Sequence, residues 1–122
     1  MTQSKRDKMR EERITMEIVV DAYDEMERAL GWYYYLDEKL QFPFPAKCNA
    51  ARAISPLVKG ERVEVTGMPP EDECEHEMFV TVRWQERTLA VPLSQLETVR
   101  ADAGTREAVA DWHYWIKMRY EF

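Results

Sequence analysis

Glycine and cysteine are scarce in this chain, with four and two among 122 residues. Two cysteines, Cys48 and Cys74, cannot build a disulfide framework, so both are read as reduced and the protein as cytoplasmic. No glycine-rich loop is present to cradle phosphates, and Ser55 and Ser94 lack the setting of an activated nucleophile. Only two histidines occur, His76 and His113, and nothing in the sequence places an acid–base partner beside either. An enzyme is not the expectation. No apolar run is long enough to span a membrane, and the first residues lack the apolar stretch of a signal peptide. Basic residues are outnumbered, 17 against 23 acidic, for a net charge of -6. Nucleic acid is therefore a poor partner, because phosphate binding needs clustered Lys and Arg.

What is present is apolar mass and negative charge. The chain is 45% hydrophobic, with four Trp, six Tyr and four Phe, enough for the core of one domain. The charge is uneven. Residues 1–13 carry five basic and three acidic side chains, a net +2, and read as a charged, mobile N-terminal segment. Residues 14–122 carry twelve basic and twenty acidic side chains, a net -8, and read as a single domain.

Met16, Val19, Tyr23, Met26, Leu30 and Tyr33 recur at spacings of three and four, which predicts one N-terminal helix with an apolar stripe. Asp24 and Arg28 can pair on its wet face. Gly31 allows a break or kink, and Pro43 and Pro45 stop the helix by Gln41. The period then changes to two. Val63 and Val65 alternate with polar residues, Phe79 to Trp84 and Leu89 to Leu93 follow across the polar turn Gln85-Glu86-Arg87, and 46–54 can add a strand. Pro92 places its strand at an edge. Short antiparallel strands of this kind predict a small SH3-like barrel. A last helix, capped by Asp102 or Thr105, carries Ala108, Val109, Trp112, Trp115 and Ile116 on its apolar face. The expected fold class is α+β: N-terminal helix, small SH3-like antiparallel β-barrel, C-terminal helix.

Two features carry candidate chemistry. Five of the seven residues from Glu71 to Glu77 are acidic, and Pro69-Pro70 stands just before them. Carboxylates this close repel unless screened by solvent or a cation. The run reads either as a solvated turn or as a source of the several oxygens that a hard divalent cation requires. The second feature is Asp37, which continues the stripe 26, 30, 33 and must meet water, a donor or a cation if the helix runs that far. Glu38 adds two more oxygens. If the helix breaks at Gly31, Asp37 is simply exposed. An EF-hand is excluded: counting from Asp21, Met26 stands where Gly is required and Trp32 where Glu is required. Cys48, Cys74, His76 and His113 are zinc-type ligands, but Cys74-x-His76 is not a standard zinc spacing. The aromatic block Trp32-Tyr33-Tyr34-Tyr35 reads as packing.

Several stretches then resemble one known family. They are Ile14 through Asp24, Ala29 through Glu38 with Phe42-Pro43-Phe44-Pro45-Ala46, Gly67-Met68 with the acidic loop to Glu77, and Arg83-Trp84. Leu89 through Leu96 and Asp111-Trp112-His113-Tyr114-Trp115 complete the set. Together, from about Arg13 to Phe122, they resemble the small bacterial calcium-binding proteins of the CcbP type. The resemblance implies a compact α/β calcium-binding domain over 14–122, distinct from EF-hands, with ions on a negatively charged surface. Asp37, directly after the aromatic block, is the position carried over. Glu38, Glu71, Asp72, Glu73 and Glu75 belong to the implied ligand regions. Calcium is the expected ion, because magnesium demands near-ideal octahedral geometry and gives up water reluctantly. The implied function is a buffer or sensor of cytosolic calcium, with calcium ions as the partner and neither membrane nor nucleic acid engaged. The competing reading is an acidic SH3-like protein-interaction module.

Overall fold

The computed structural model describes residues 7–118, 120 and 122. A short helix, α1 (Lys8–Arg13), runs into one π-helical turn, Ile14–Ile18. Helix α2 (Glu25–Lys39) follows, then strands β1 (Phe44–Cys48), β2 (Arg62–Gly67), β3 (Phe79–Trp84), β4 (Arg87–Pro92) and β5 (Leu96–Thr98), and finally helix α3 (Ala103–Lys117). A 3-10 turn, Glu71–Cys74, separates β2 from β3, and another, Leu93–Gln95, precedes β5.

The strands form one antiparallel sheet in the order β4-β3-β2-β1-β5. The α+β class and the helix at each end stand, but the expected barrel does not: β4 and β5 remain edges and the sheet is open. The physical reason lies in the tryptophans. Trp32 of α2 and Trp112 of α3 are buried with ring centroids 5.0 Å apart, and they share one core with Val65, Val80, Val82 and Val91 of the sheet. Two helices thus supply the second layer that a barrel would otherwise make by closing on itself. Pro92 lies on edge strand β4. Gln85 and Glu86 alone form the β3–β4 turn, both with positive φ (49° and 65°), the left-handed geometry that matches strand twist. Arg87 belongs to the strand.

The single N-terminal helix is corrected as well. The chain leaves the helix after Ile18 and re-enters at Glu25. The stop signal is local chemistry: Asp24 Oδ1 accepts from the Glu27 backbone N–H at 2.8 Å, and Glu27 Oε1 accepts from that of Tyr23 at 2.9 Å. Asp24 therefore caps α2 rather than riding mid-helix opposite Arg28. The buried stripe of α2 is Ala29, Trp32, Tyr35 and Leu36. Met16, Tyr23 and Met26, expected inside, are 63%, 83% and 65% exposed.

Gly31 does not break the helix. A Cβ there would stand 2.3 Å from the Ile18 carbonyl oxygen, so the glycine admits the π-helical turn against α2. On α3, Asp102 takes the N-cap position and Ile116 is exposed, not part of the apolar face. His113 is structural, its Nε2 lying 2.6 Å from the Leu96 carbonyl oxygen.

Helix α1 is held by a buried charge. Asp111 of α3 is fully buried. Its Oδ1 accepts from Arg10 Nη1 (2.6 Å) and Arg13 Nη2 (2.7 Å), and its Oδ2 from Arg13 Nε (2.9 Å) and the Tyr35 hydroxyl (2.6 Å). Glu11 adds a second tie, accepting from the hydroxyls of Tyr114 (2.5 Å) and Tyr120 (2.7 Å). The part of the N-terminal segment from residue 7 onward is thus bound to α3, and residues 1–6 lie outside the described residues.

Candidate functional site

The acidic loop is built on a buried anchor. Pro69-Pro70 ends the extended chain after β2, and Glu73 N–H donates to the Pro70 carbonyl at 3.0 Å, closing the 3-10 turn. Cys74 points inward, 1% exposed, and its sulfur accepts from the Phe79 backbone N–H at 3.3 Å. Burial pushes its thiol pKa up, which suits an inert packing cysteine rather than a metal thiolate. With Cys74 pinned inside, Glu71, Asp72, Glu73 and Glu75 are left pointing to solvent. Glu77 is different: it is half-buried and salt-bridged to Arg52 Nη1 at 2.6 Å, and accepts from Ser94 Oγ at 3.1 Å.

Two tyrosines fasten this loop to α2. The Tyr33 hydroxyl donates to the Pro69 carbonyl at 2.5 Å, and the Tyr34 hydroxyl donates to Glu71 Oε2. One turn further along α2 stands Asp37, exposed. Asp37 and Glu71 share an electrostatic neighbourhood, because both charges act on both phenols. Tyr33's pKa is raised first by burial and then by Asp37, with Glu71 adding to it. Tyr34's is raised first by its hydrogen bond to Glu71, then by the Glu71 charge, with Asp37 adding to it. The aromatic block read as packing is therefore partly a brace between the two acidic regions.

Toward the N-terminal end of α2 the same loop walls a groove of about 370 Å³. Met26, Ala29 and Leu30 form its floor, and Asp24, Glu25, Glu71, Asp72 and Glu75 its acidic rim, with His76 beside them. A second hollow of about 390 Å³ adjoins it and shares Glu25 and His76.

Asp37 and Glu71 thus both act on the Tyr33 and Tyr34 phenols, and Asp72 and Glu75 lie along the groove. Glu73 stays on the outer side of the turn, where its charge acts on Cys74. Glu38 is exposed on α2, away from the groove wall. Asp37 does not continue a buried stripe; it is an exposed acid one turn beyond the tyrosines that hold the loop. Asp24 and Glu25 were missed as members of the acidic surface. The signal available was Asp24-x-x-Glu27, a helix-start pattern that places both residues at the N-terminus of α2.

Among the described residues no three His, Cys, Asp or Glu side chains converge as a preformed metal cage. The donors on offer are carboxylates, a phenol and a backbone carbonyl, all hard oxygens on an open surface. That set fits calcium, whose six to eight oxygen ligands tolerate irregular geometry and include water, better than it fits magnesium or zinc.

The fold and this donor set define an acidic α+β calcium-binding protein outside the EF-hand class. The chain belongs to the CcbP calcium-binding family, whose model, described as calcium binding, matches residues 12–116. The crystal structure of Anabaena CcbP superimposes with a TM-score of 0.88 at 44% identity, each chain covered in full. A calcium-binding protein in its calcium-binding form matches with a TM-score of 0.87 at 43% identity, again over both whole chains. No curated protein matches the chain. No helix among the described residues is long and apolar enough to cross a membrane.

Proposed function

We propose that this protein is a non-enzymatic buffer of cytosolic calcium, and that the ion is held where the C-terminal half of α2 meets the 71–75 segment. The observation that carries the reading is the Tyr34–Glu71 hydrogen bond, which brings the acidic loop to the helix turn bearing Asp37. An ion there draws on Asp37 and Glu71 directly. Glu38, Asp72, Glu73 and Glu75 act as further ligands or as a surrounding field, and water completes the shell. Among the described residues no cage exists in advance, so the ion itself gathers the carboxylates. That costs affinity and gives fast exchange of the ion. The buried thiols of Cys48 and Cys74 support a reducing compartment, and the acidic balance argues against nucleic acid.

Calorimetric titration of calcium into Asp37→Asn, Glu71→Gln and the double variant tests the shared ion. Each single change is expected to weaken binding roughly tenfold, about 1.4 kcal/mol. The double change should cost less than the sum, with a coupling of about 0.5–1 kcal/mol. Strict additivity would place the two carboxylates at separate ions.

A further inference from the structure

The groove at the start of α2 has an apolar floor that calcium does not use. Its floor is a helix face, Met26, Ala29 and Leu30 at positions i, i+3 and i+4, and Met26 is 65% exposed. Five carboxylates rim it, and among the described residues no lysine or arginine lines it. At about 370 Å³ it lies within the ~300–1,000 Å³ range of ordinary ligand clefts, and the adjoining hollow extends it past the Glu25–His76 pair, 3.9 Å apart.

We propose that this groove docks a cationic amphipathic helix of a partner protein. Its aliphatic side chains would sit on the α2 face and its Lys and Arg side chains against the carboxylate rim. The helix-in-groove mode needs an apolar floor flanked by charge of one sign, and both are present. Charge complementarity selects the occupant. A second copy of this chain would bring a net -8 over residues 14–122 against an acidic rim. The chain's own helix α1 is already engaged, with Arg10 and Arg13 on Asp111. Glu71 belongs both to the rim and to the proposed calcium site. Resting on that calcium reading, calcium and the cationic helix compete, and loading the ion releases the partner. The protein is then a responder to calcium as well as a buffer of it.

The test is fluorescence anisotropy with three labelled probes: an amphipathic Leu/Lys helical peptide, a scrambled peptide of the same composition, and an oligolysine of equal charge. In chelator, the amphipathic peptide is expected to bind at least tenfold tighter than either control. Met26→Gln should weaken it at least tenfold while calcium affinity, measured separately by calorimetry, stays within twofold. Saturating calcium should weaken the peptide at least tenfold, and the same ionic strength of sodium chloride should weaken it less. Equal binding of all three probes would overturn the docking site and leave only a diffuse acidic surface. Docking that ignores calcium would overturn the competition. Failure of calcium to bind in the calorimeter would instead refute the calcium reading and leave the peptide result to stand alone.

Discussion

Asp111→Ala is expected to lower unfolding stability by about 3 kcal/mol. The carboxylate is fully buried and takes four hydrogen bonds, from Arg10, Arg13 twice, and Tyr35. A buried ion pair contributes little net stability against an apolar substitute, but removing one partner leaves the others uncompensated, typically at about 3–5 kcal/mol. The lower end applies because the arginine side chains are 23% and 18% exposed and can partly recover water. Detachment of α1 should accompany the loss, seen as faster amide exchange over residues 8–13. The same site sets an alkaline limit. Burial first, then the hydrogen bond to Asp111, raises Tyr35 from its ordinary 10.0. Its stabilising contribution is complete below pH 10 and is lost as pH climbs through the raised folded-state value, and Tyr35→Phe should flatten that decline. Urea denaturation measures both. A loss below 1 kcal/mol for Asp111→Ala would show that α1 is not held by this charge.

Calcium at a hundredfold excess over its dissociation constant is expected to raise the melting midpoint by roughly 10 °C. Binding to the folded state alone contributes about 2.7 kcal/mol at that excess, and each kcal/mol moves a domain of this size by a few degrees. The gain has a specific part and a general part. Twenty acidic against twelve basic side chains over residues 14–122 repel one another, and any salt relieves some of that. The specific part needs an ion that accepts irregular oxygen geometry, so magnesium at equal concentration should give a clearly smaller shift. Equal shifts from the two ions would reduce the effect to screening.

Much of the sheet was legible in the sequence because β2 and β3 alternate in period two and stand between turn residues, and Pro92 marked its edge. The open sheet was not legible, because nothing in strand periodicity says whether a second layer comes from the sheet itself or from helices. Here the tryptophans of α2 and α3 decided it. The N-terminal helix misled for a different reason. Met16, Tyr23 and Met26 have helical spacing and apolar character, but the Asp24 cap outweighs that pattern, and the true stripe begins at Ala29. Of the candidate site, the acidity of the 71–75 segment could be read from the residues, and the family resemblance singled out Asp37 for test. That Tyr33 and Tyr34 fasten the loop to the helix could not, because the contact joins positions 36 and 37 residues apart.

The most direct test of the ion's position is the titration of Tyr34, followed by NMR of ring-labelled tyrosine with Tyr34→Phe as the assignment control. The Tyr34 phenol is held above its ordinary 10.0 first by its hydrogen bond to Glu71, then by the Glu71 charge, with Asp37 adding to it. A calcium ion seated on those two carboxylates cancels the field that opposes ionisation. The account predicts that saturating calcium brings the Tyr34 titration down and leaves buried Tyr35 where it was. An unchanged Tyr34 titration in the calcium-saturated protein would contradict the placement of the ion between α2 and the 71–75 segment.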